Sequence, residues 1–195
     1  MKRNWLAVAT GIGMLALSGA ALAEDVDLNL SSEAAQAGFS GPLSHVLPVS
    51  SGTYNAGILI NRSRDNDLFQ GNLGAMVVGD AGARDANVTA GLGGRVVYLH
   101  EAREFSGLAL ELGAQGEVRL PAMNRLALKG YGYIAPPVLS FGTVDAAYEY
   151  GLDVDYQVIR QASIYAGWRQ LIVDPSNSGT VTADTGLHIG FHLSF

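Results

Sequence analysis

The clearest pattern in this chain is an alternation of apolar and polar residues that recurs in segment after segment. Between residues 144 and 158 the even positions are all apolar, namely Val144, Ala146, Tyr148, Tyr150, Leu152, Val154, Tyr156 and Val158. The odd positions include four carboxylates, Asp145, Glu149, Asp153 and Asp155. Successive side chains of a β-strand point to opposite faces, so this segment is predicted to be a strand with one apolar and one acidic face.

The last strand predicted by this alternation ends at the final residue of the chain. Its apolar positions are Leu187, Ile189, Phe191, Leu193 and Phe195, and its polar face carries Gly186, His188, Gly190, His192 and Ser194. A strand that is apolar on one face and ends on an aromatic residue resembles the closing strand of an outer-membrane β-barrel. We therefore expect the barrel assembly machinery to recognise this strand.

The number of such segments predicts the size of the barrel. Eight lie between residue 53 and the end of the chain, and two short candidates precede them at residues 26–30 and 34–39. Because single-chain bacterial barrels have even strand numbers, we predict an all-β, closed, antiparallel transmembrane barrel of ten strands with up-and-down topology. Eight strands remain the alternative. Short connections at 121–124 and 159–162 alternate with longer ones, which indicates a periplasmic C-terminus, although the long connection at 41–52 does not fit this scheme.

Alternation alone leaves open which face of the barrel points outward. In a soluble, lipocalin-like barrel the apolar face would lie inside and the carboxylates would be solvated. Two observations favour a membrane barrel with the apolar face outside. The apolar stripes are rich in Tyr, Trp and terminal Phe, which suit the interfaces of a bilayer. The polar stripes carry many glycines, among them Gly91, Gly113 and Gly190, which make room in a narrow lumen.

Targeting signals and composition agree with export to a membrane. Residues 1–23 carry Lys2 and Arg3 near their start, continue with an apolar core and end on Ala21-Leu22-Ala23. We therefore expect a cleaved signal peptide over residues 1–23 and a barrel over residues 24–195. Without Lys2 and Arg3 the formal net charge of −6 becomes −8. This acidity argues against nucleic acid as a partner. The absence of cysteine rules out disulfides and thiolate metal sites.

Three stretches of the chain resemble the YfaZ family of bacterial outer-membrane proteins. They are DVDLNL at residues 25–30, NVTAGLGGR at 87–95 and EYGLDVDYQVIRQAS at 149–163. The resemblance extends over nearly the whole mature chain. It implies an outer-membrane barrel, sometimes described as porin-like, and it implies no catalytic residues.

The polar stripes predict a charged network inside the barrel. Its members are Arg95, Glu111, Glu117, Arg119, Arg125, Lys129, Asp145, Glu149, Asp153, Asp155 and Arg169. They could form a charged constriction that selects solutes, or a salt-bridged plug that fills the lumen. We favour the plug. Across the turn at 121–124 we predict that Glu117 opposes Lys129, because the other register would place Arg119 opposite Arg125.

Three functions follow from these expectations. The first is a narrow porin-like channel, and the alternative is a closed barrel with a structural or surface-interaction role, in which the loops at 62–68, 100–106, 135–142 and 174–180 form the contact surface. A membrane lipid hydrolase is disfavoured, because only His192 and Ser194 match the His-x-Ser spacing of lipid A deacylases. His188 and His192 lie about 13 Å apart on a strand and cannot chelate one ion unaided. We therefore expect no enzyme activity, no cofactor and no metal, and outer-membrane lipids as the surrounding partner.

Overall fold

The structure is a computed structural model that describes residues 25–45, 52–62, 67–82, 87–102, 104–119 and 121–195. The strands are β1 (Asp25–Ser31), β2 (Ala34–Pro42), β3 (Thr53–Arg62), β4 (Asp67–Asp80), β5 (Asn87–Glu101), β6 (Phe105–Arg119), β7 (Leu126–Ala135), β8 (Ser140–Gly142), β9 (Val144–Ile159), β10 (Ala162–Pro175) and β11 (Val181–Ser194). Short 3-10 turns lie at Leu43–His45, Pro121–Met123 and Pro137–Leu139. None of the helical turns in the described ranges is long and apolar enough to cross a bilayer. The predicted signal peptide lies outside these ranges.

Antiparallel pairing closes the strands into a barrel. β1 pairs with β2 on one side and with β11 on the other, so the two ends of the chain complete the cylinder. β7 and β8 pair with successive parts of β6. Together they therefore count as one strand position of the barrel. The barrel therefore has ten strand positions in up-and-down order, which confirms the predicted fold and excludes the eight-strand alternative. The two short strands at the amino end are needed because they carry the closing contact.

The interruption between β7 and β8 has a local cause in the sequence. Pro136 and Pro137 supply no backbone N–H, so a regular ladder cannot continue through them. A 3-10 turn forms instead, in which the Leu139 amide donates to the Pro136 carbonyl at 2.9 Å. Pairing with β6 resumes at Ser140, opposite Ala109.

The outside of the barrel is a continuous apolar surface. Leu92 on β5 is 71 % exposed and Leu187 on β11 is 78 % exposed, and large apolar side chains on the other long strands are exposed in the same way. Phe69 packs near Tyr98, and Tyr150 packs near Trp168, on this same outer surface. In water such a surface would be unstable, whereas hydrocarbon solvates it. The molecule is thus a transmembrane β-barrel with its apolar face outward, as the alternation predicts.

Tyrosines on the inside of the barrel lie flat over glycines of the neighbouring strand. Tyr131 pairs with Gly151, Tyr133 with Gly113 and Tyr165 with Gly190. A Cβ atom added at any of these glycines would collide with the ring of its tyrosine partner. The glycines on the polar stripes therefore make space for aromatic rings that line the lumen wall.

Candidate functional site: a polar lumen closed at one end

An apolar cluster fills the end of the lumen that lies away from the chain termini. Its side chains come from the distal ends of the strands, next to the connecting residues 136–143 and 176–180. Leu171 is 0 % exposed, and the other members are as well buried: Leu59, Leu68, Val97, Leu99, Phe105, Ala109, Ala135, Val144, Ala147, Val173 and Ala183. We call this set the apolar plug. It leaves that end of the barrel filled with hydrocarbon rather than water.

A buried ionic cluster centred on Arg95 lies next to the plug. Arg95 Nε donates to Glu111 Oε2 at 2.6 Å, and its Nη2 donates to Glu149 Oε2. Gln70 Nε2 donates to the same Glu149 oxygen at 3.0 Å. The guanidinium carbon lies 3.8 Å from the centre of the Tyr133 ring. One arginine therefore neutralises two carboxylates while it stacks on an aromatic face.

A second buried cluster is centred on Arg169. Its guanidinium binds Asp184 Oδ2 at 2.8 Å and also donates to Gln36 Oε1. Asn61 Nδ2 donates to the other Asp184 oxygen at 2.8 Å, and Asn29 Nδ2 donates to Gln36 Oε1 at 3.1 Å. Charged partners thus fix the orientation of the Asn61 and Gln36 amides, and Gln36 in turn orients Asn29.

The rest of the lumen is a water-accessible cavity of about 530 Å³. Its lining begins at residues near the terminal end of the barrel, such as Asp25 and Thr53, and reaches inward to Arg95 and Glu149. Tyrosine rings, polar and charged side chains, glycines and a few apolar side chains together form the wall between these limits. We call this cavity the cup, because the apolar plug closes its far end.

Near the open end of the cup the backbone register is as predicted, but the charged side chains form ion pairs with other neighbours. Glu117 lies opposite Lys129 across the β6–β7 turn, which confirms the predicted register. Lys129 Nζ itself reaches Asp155 Oδ2 at 3.2 Å, and Ser163 Oγ donates to the same oxygen at 2.7 Å. Glu117 Oε1 instead accepts from Arg119 Nη2 at 2.9 Å.

Nine of the eleven predicted network residues lie on the inner face, and two lie elsewhere. Asp145 is exposed at the distal end, where its Oδ1 accepts a hydrogen bond from Ser176 Oγ at 2.6 Å. The β9–β10 register skips one residue there, because Asp174 pairs with Ala146 and Pro175 pairs with Val144. This bulge moves Asp145 off the polar stripe. Arg125 lies in an exposed turn just before β7 begins. It is therefore not one of the residues of that strand that face the lumen.

The C-terminal stripe lies on the outer surface of the barrel. Leu187, Ile189, Phe191 and Phe195 are exposed and Leu193 is partly exposed. His188 and His192, on the opposite face of β11, point into the lumen and line the cup.

The geometry at the rim of the cup does not form a hydrolytic site. Ser194 Oγ donates to Asp25 Oδ1 at 2.7 Å, and His192 Nε2 lies 3.2 Å from the same oxygen. The hydroxyl therefore bonds to a carboxylate rather than to the imidazole that would have to activate it. Within the described part of the chain, no group of three or more His, Cys, Asp or Glu side chains could hold a metal ion.

The sequence analysis missed four lumen residues, of which three are neutral amides and one is a carboxylate. Gln70, Asn61 and Gln36 orient the two arginine clusters, and Asp184 is the principal partner of Arg169. Strand parity could have identified Asp184, which has the same parity as His188 and His192 on β11. Nothing in the sequence marks which amide meets which charge, because these contacts join strands far apart in the chain.

The closed cylinder, the apolar exterior and the ionic interior together define an outer-membrane-type β-barrel. The chain belongs to the YfaZ family, whose description is YfaZ precursor and whose match extends over residues 1–195.

Solved structures with a similar course of the chain include other barrels. One is described as KdgM porin, with 9% sequence identity, a TM-score of 0.43, and coverage of 88% of this chain and 98% of that one. Another is described as OmpT, an outer membrane protein of Vibrio cholerae, with 12% identity, a TM-score of 0.37, and coverage of 83% of this chain and 64% of that one. Among curated proteins, none matches this chain in sequence.

Proposed function

We propose that this protein is a closed outer-membrane barrel that binds rather than conducts, and that its cup is the binding compartment. The observation that carries the proposal is the apolar plug, whose leucine and valine side chains fill the distal lumen. An apolar constriction of this kind excludes water and hydrated ions. The two arginine clusters behind it add a second barrier, because their contacts join strands that are not neighbours in the sheet.

The proposal includes the route to the membrane and the orientation there. Residues 1–23 act as an export signal that is removed after Ala23, and the barrel inserts into outer-membrane lipid with the help of the assembly machinery. Both termini then lie on the periplasmic side, as in barrels whose short turns are periplasmic. In this orientation the cup opens toward the periplasm and the plug lies beneath the extracellular loops.

Conductance across a planar lipid bilayer tests the proposal. We expect the wild-type barrel, with insertion verified by protection from added protease, to give no steady conductance. Leu152→Ala, which changes a lipid-facing side chain on β9, serves as a matched control and is expected to be silent as well. A reproducible open level in the wild-type protein would overturn the proposal.

A porin-like channel is the second candidate, and the size of the cup favours it. A cavity of about 530 Å³ already occupies the proximal lumen, so a pathway would need only the plug to move. The same recording separates the two functions. A voltage or solute that converts a silent barrel into a conducting one would support the channel.

A further inference from the structure

One wall of the cup carries a continuous row of acidic and aromatic side chains from four strands. His188 Nε2 lies 2.9 Å from Asp153 Oδ1, and its ring meets the edge of Tyr165 with 5.9 Å between ring centres. Tyr165 Oη donates to Asp27 Oδ1 at 2.7 Å, and His192 Nδ1 lies 3.9 Å from Asp27 Oδ2. We call these residues and the neighbouring aspartate the acidic row: Asp153, His188, Tyr165, Asp27, His192 and Asp25.

The acidic row is not neutralised by basic side chains. Across the described ranges, no lysine or arginine forms an ion pair with any of its three aspartates. Among the described residues, one arginine and one lysine line the cup, and both are bound to other carboxylates. Arg95 binds Glu111 and Glu149, and Lys129 binds Asp155. With neutral histidines the row therefore presents unbalanced negative charge to the cavity.

Two buried side chains on the same wall have acceptor atoms without a partner. Asn29 is 5 % exposed and its Oδ1 accepts no hydrogen bond, while His188 is 4 % exposed and its Nδ1 has no partner. The amide of Asn29 is oriented by Gln36, so its free atom is the oxygen. In the neutral form of His188 the carboxylate partner assigns the proton to Nε2 and leaves Nδ1 as an acceptor. Both side chains line the cup and both lack a donor.

Resting on the binding role proposed above, we propose that the acidic row binds a small organic ammonium ion inside the cup. An ammonium group supplies the missing positive charge and several N–H donors at once. The rings of Tyr131 and Tyr165, which line the cup, add an attraction for organic cations. The aspartates are spread along the row rather than gathered around one point, which suits a linear diamine better than a single metal ion. The cavity volume lies in the range of small-molecule sites.

Calorimetric titration of the full barrel, folded in neutral detergent, tests this assignment with 1,4-diaminobutane as the probe. We expect saturable binding of the diamine and none of 1,4-butanediol, which has the same chain without charge, or of succinate, which has the opposite charge. Asp27→Asn and Asp153→Asn are each expected to weaken binding at least tenfold. Asp145→Asn removes the same charge from the exposed distal end, and binding should be unchanged.

The titration tests the class of ligand independently of whether the barrel conducts. Absence of diamine binding to the folded wild type would overturn the assignment, as would equal binding of 1,4-butanediol or undiminished binding in both row variants. Magnesium chloride that binds as tightly as the diamine, with the same dependence on Asp27 and Asp153, would replace the organic cation by a metal ion. The heat-dependent mobility shift of each variant verifies its fold. A conducting barrel would contradict the proposed function while the titration still reports on the row.

Discussion

At the scale of single residues, the lumen depends on a few side chains that each serve several partners. Arg95 binds two carboxylates and stacks on Tyr133, and Tyr165 covers Gly190 while donating to Asp27. Burial removes water as an alternative partner for these groups. The loss of one residue therefore leaves several others unsatisfied.

Arg95→Met is expected to destabilise the barrel strongly. It leaves Glu111 and Glu149 buried without a counter-charge, which costs about 3–5 kcal/mol in comparable buried pairs. Arg119→Met is the matched control, because its pair with Glu117 is partly exposed and is worth about 0–1 kcal/mol. Denaturant unfolding in detergent, followed by tryptophan fluorescence, measures both. Equal effects of the two substitutions would contradict the central role of Arg95.

Gly190→Val is expected to disturb the tyrosine that covers it. The new side chain would occupy the space of the Tyr165 ring, and overpacking of this kind costs about 1–3 kcal/mol. Ala166→Val adds comparable volume on the lipid-facing side of β10 and should change little. The temperature at which the folded band is lost on electrophoresis compares the two variants. If Gly190→Val loses its folded band at the same temperature as the wild type, the Tyr165 ring can move aside without loss of stability.

At the scale of elements, the two ends of the chain complete the barrel together. β1 pairs with β11 over seven residues, from Asp25 opposite Ser194 to Ser31 opposite His188. The apolar stripe of β11 lies on the outer surface of the barrel. Closure of the barrel thus uses the backbone edge of β11, while the side chains of its apolar stripe remain on the outer surface.

Phe195→Ser is expected to lower the amount of barrel that reaches the outer membrane. The terminal aromatic lies outside the last ladder pair and is exposed, so its loss should affect recognition more than stability. Phe141→Ser removes an exposed aromatic from β8 at the opposite end and is the matched control. Quantitative immunoblots of outer-membrane fractions measure both. If the two variants reach the membrane equally well, the terminal residue has no special part in assembly.

At the scale of the whole molecule, the lumen is divided into two halves of different chemistry. The distal half is the apolar plug and the proximal half is the polar cup, with the arginine clusters between them. The strands run through both halves, so the division arises from which residues occupy the inner face at each height. A barrel of ten strands is narrow enough for side chains to close it.

Leu59→Ala combined with Leu171→Ala is expected to open a water path through the plug. Both side chains are buried in the apolar plug, and their truncation creates a cavity while costing about 2–5 kcal/mol each. Conductance of the double variant in a planar bilayer should exceed that of the wild type. Leu92→Ala with Leu187→Ala, two lipid-facing changes, controls for loss of leucine. Silence of the plug variant, with insertion verified, would show that the arginine clusters alone seal the lumen.

The alternation of residues determined the strands and their number, and the aromatic and glycine content of the two stripes determined the face that meets lipid. A period of two is a local property, and a bilayer requires the exposed face to be apolar along every strand. The Glu117–Lys129 register was also predictable, because a short turn links the two strands. The bulge that exposes Asp145, the closure of the distal lumen and the acidic row were decided only by the tertiary structure. These features depend on which residues of distant strands lie at the same level along the barrel axis. No local sequence pattern specifies that alignment.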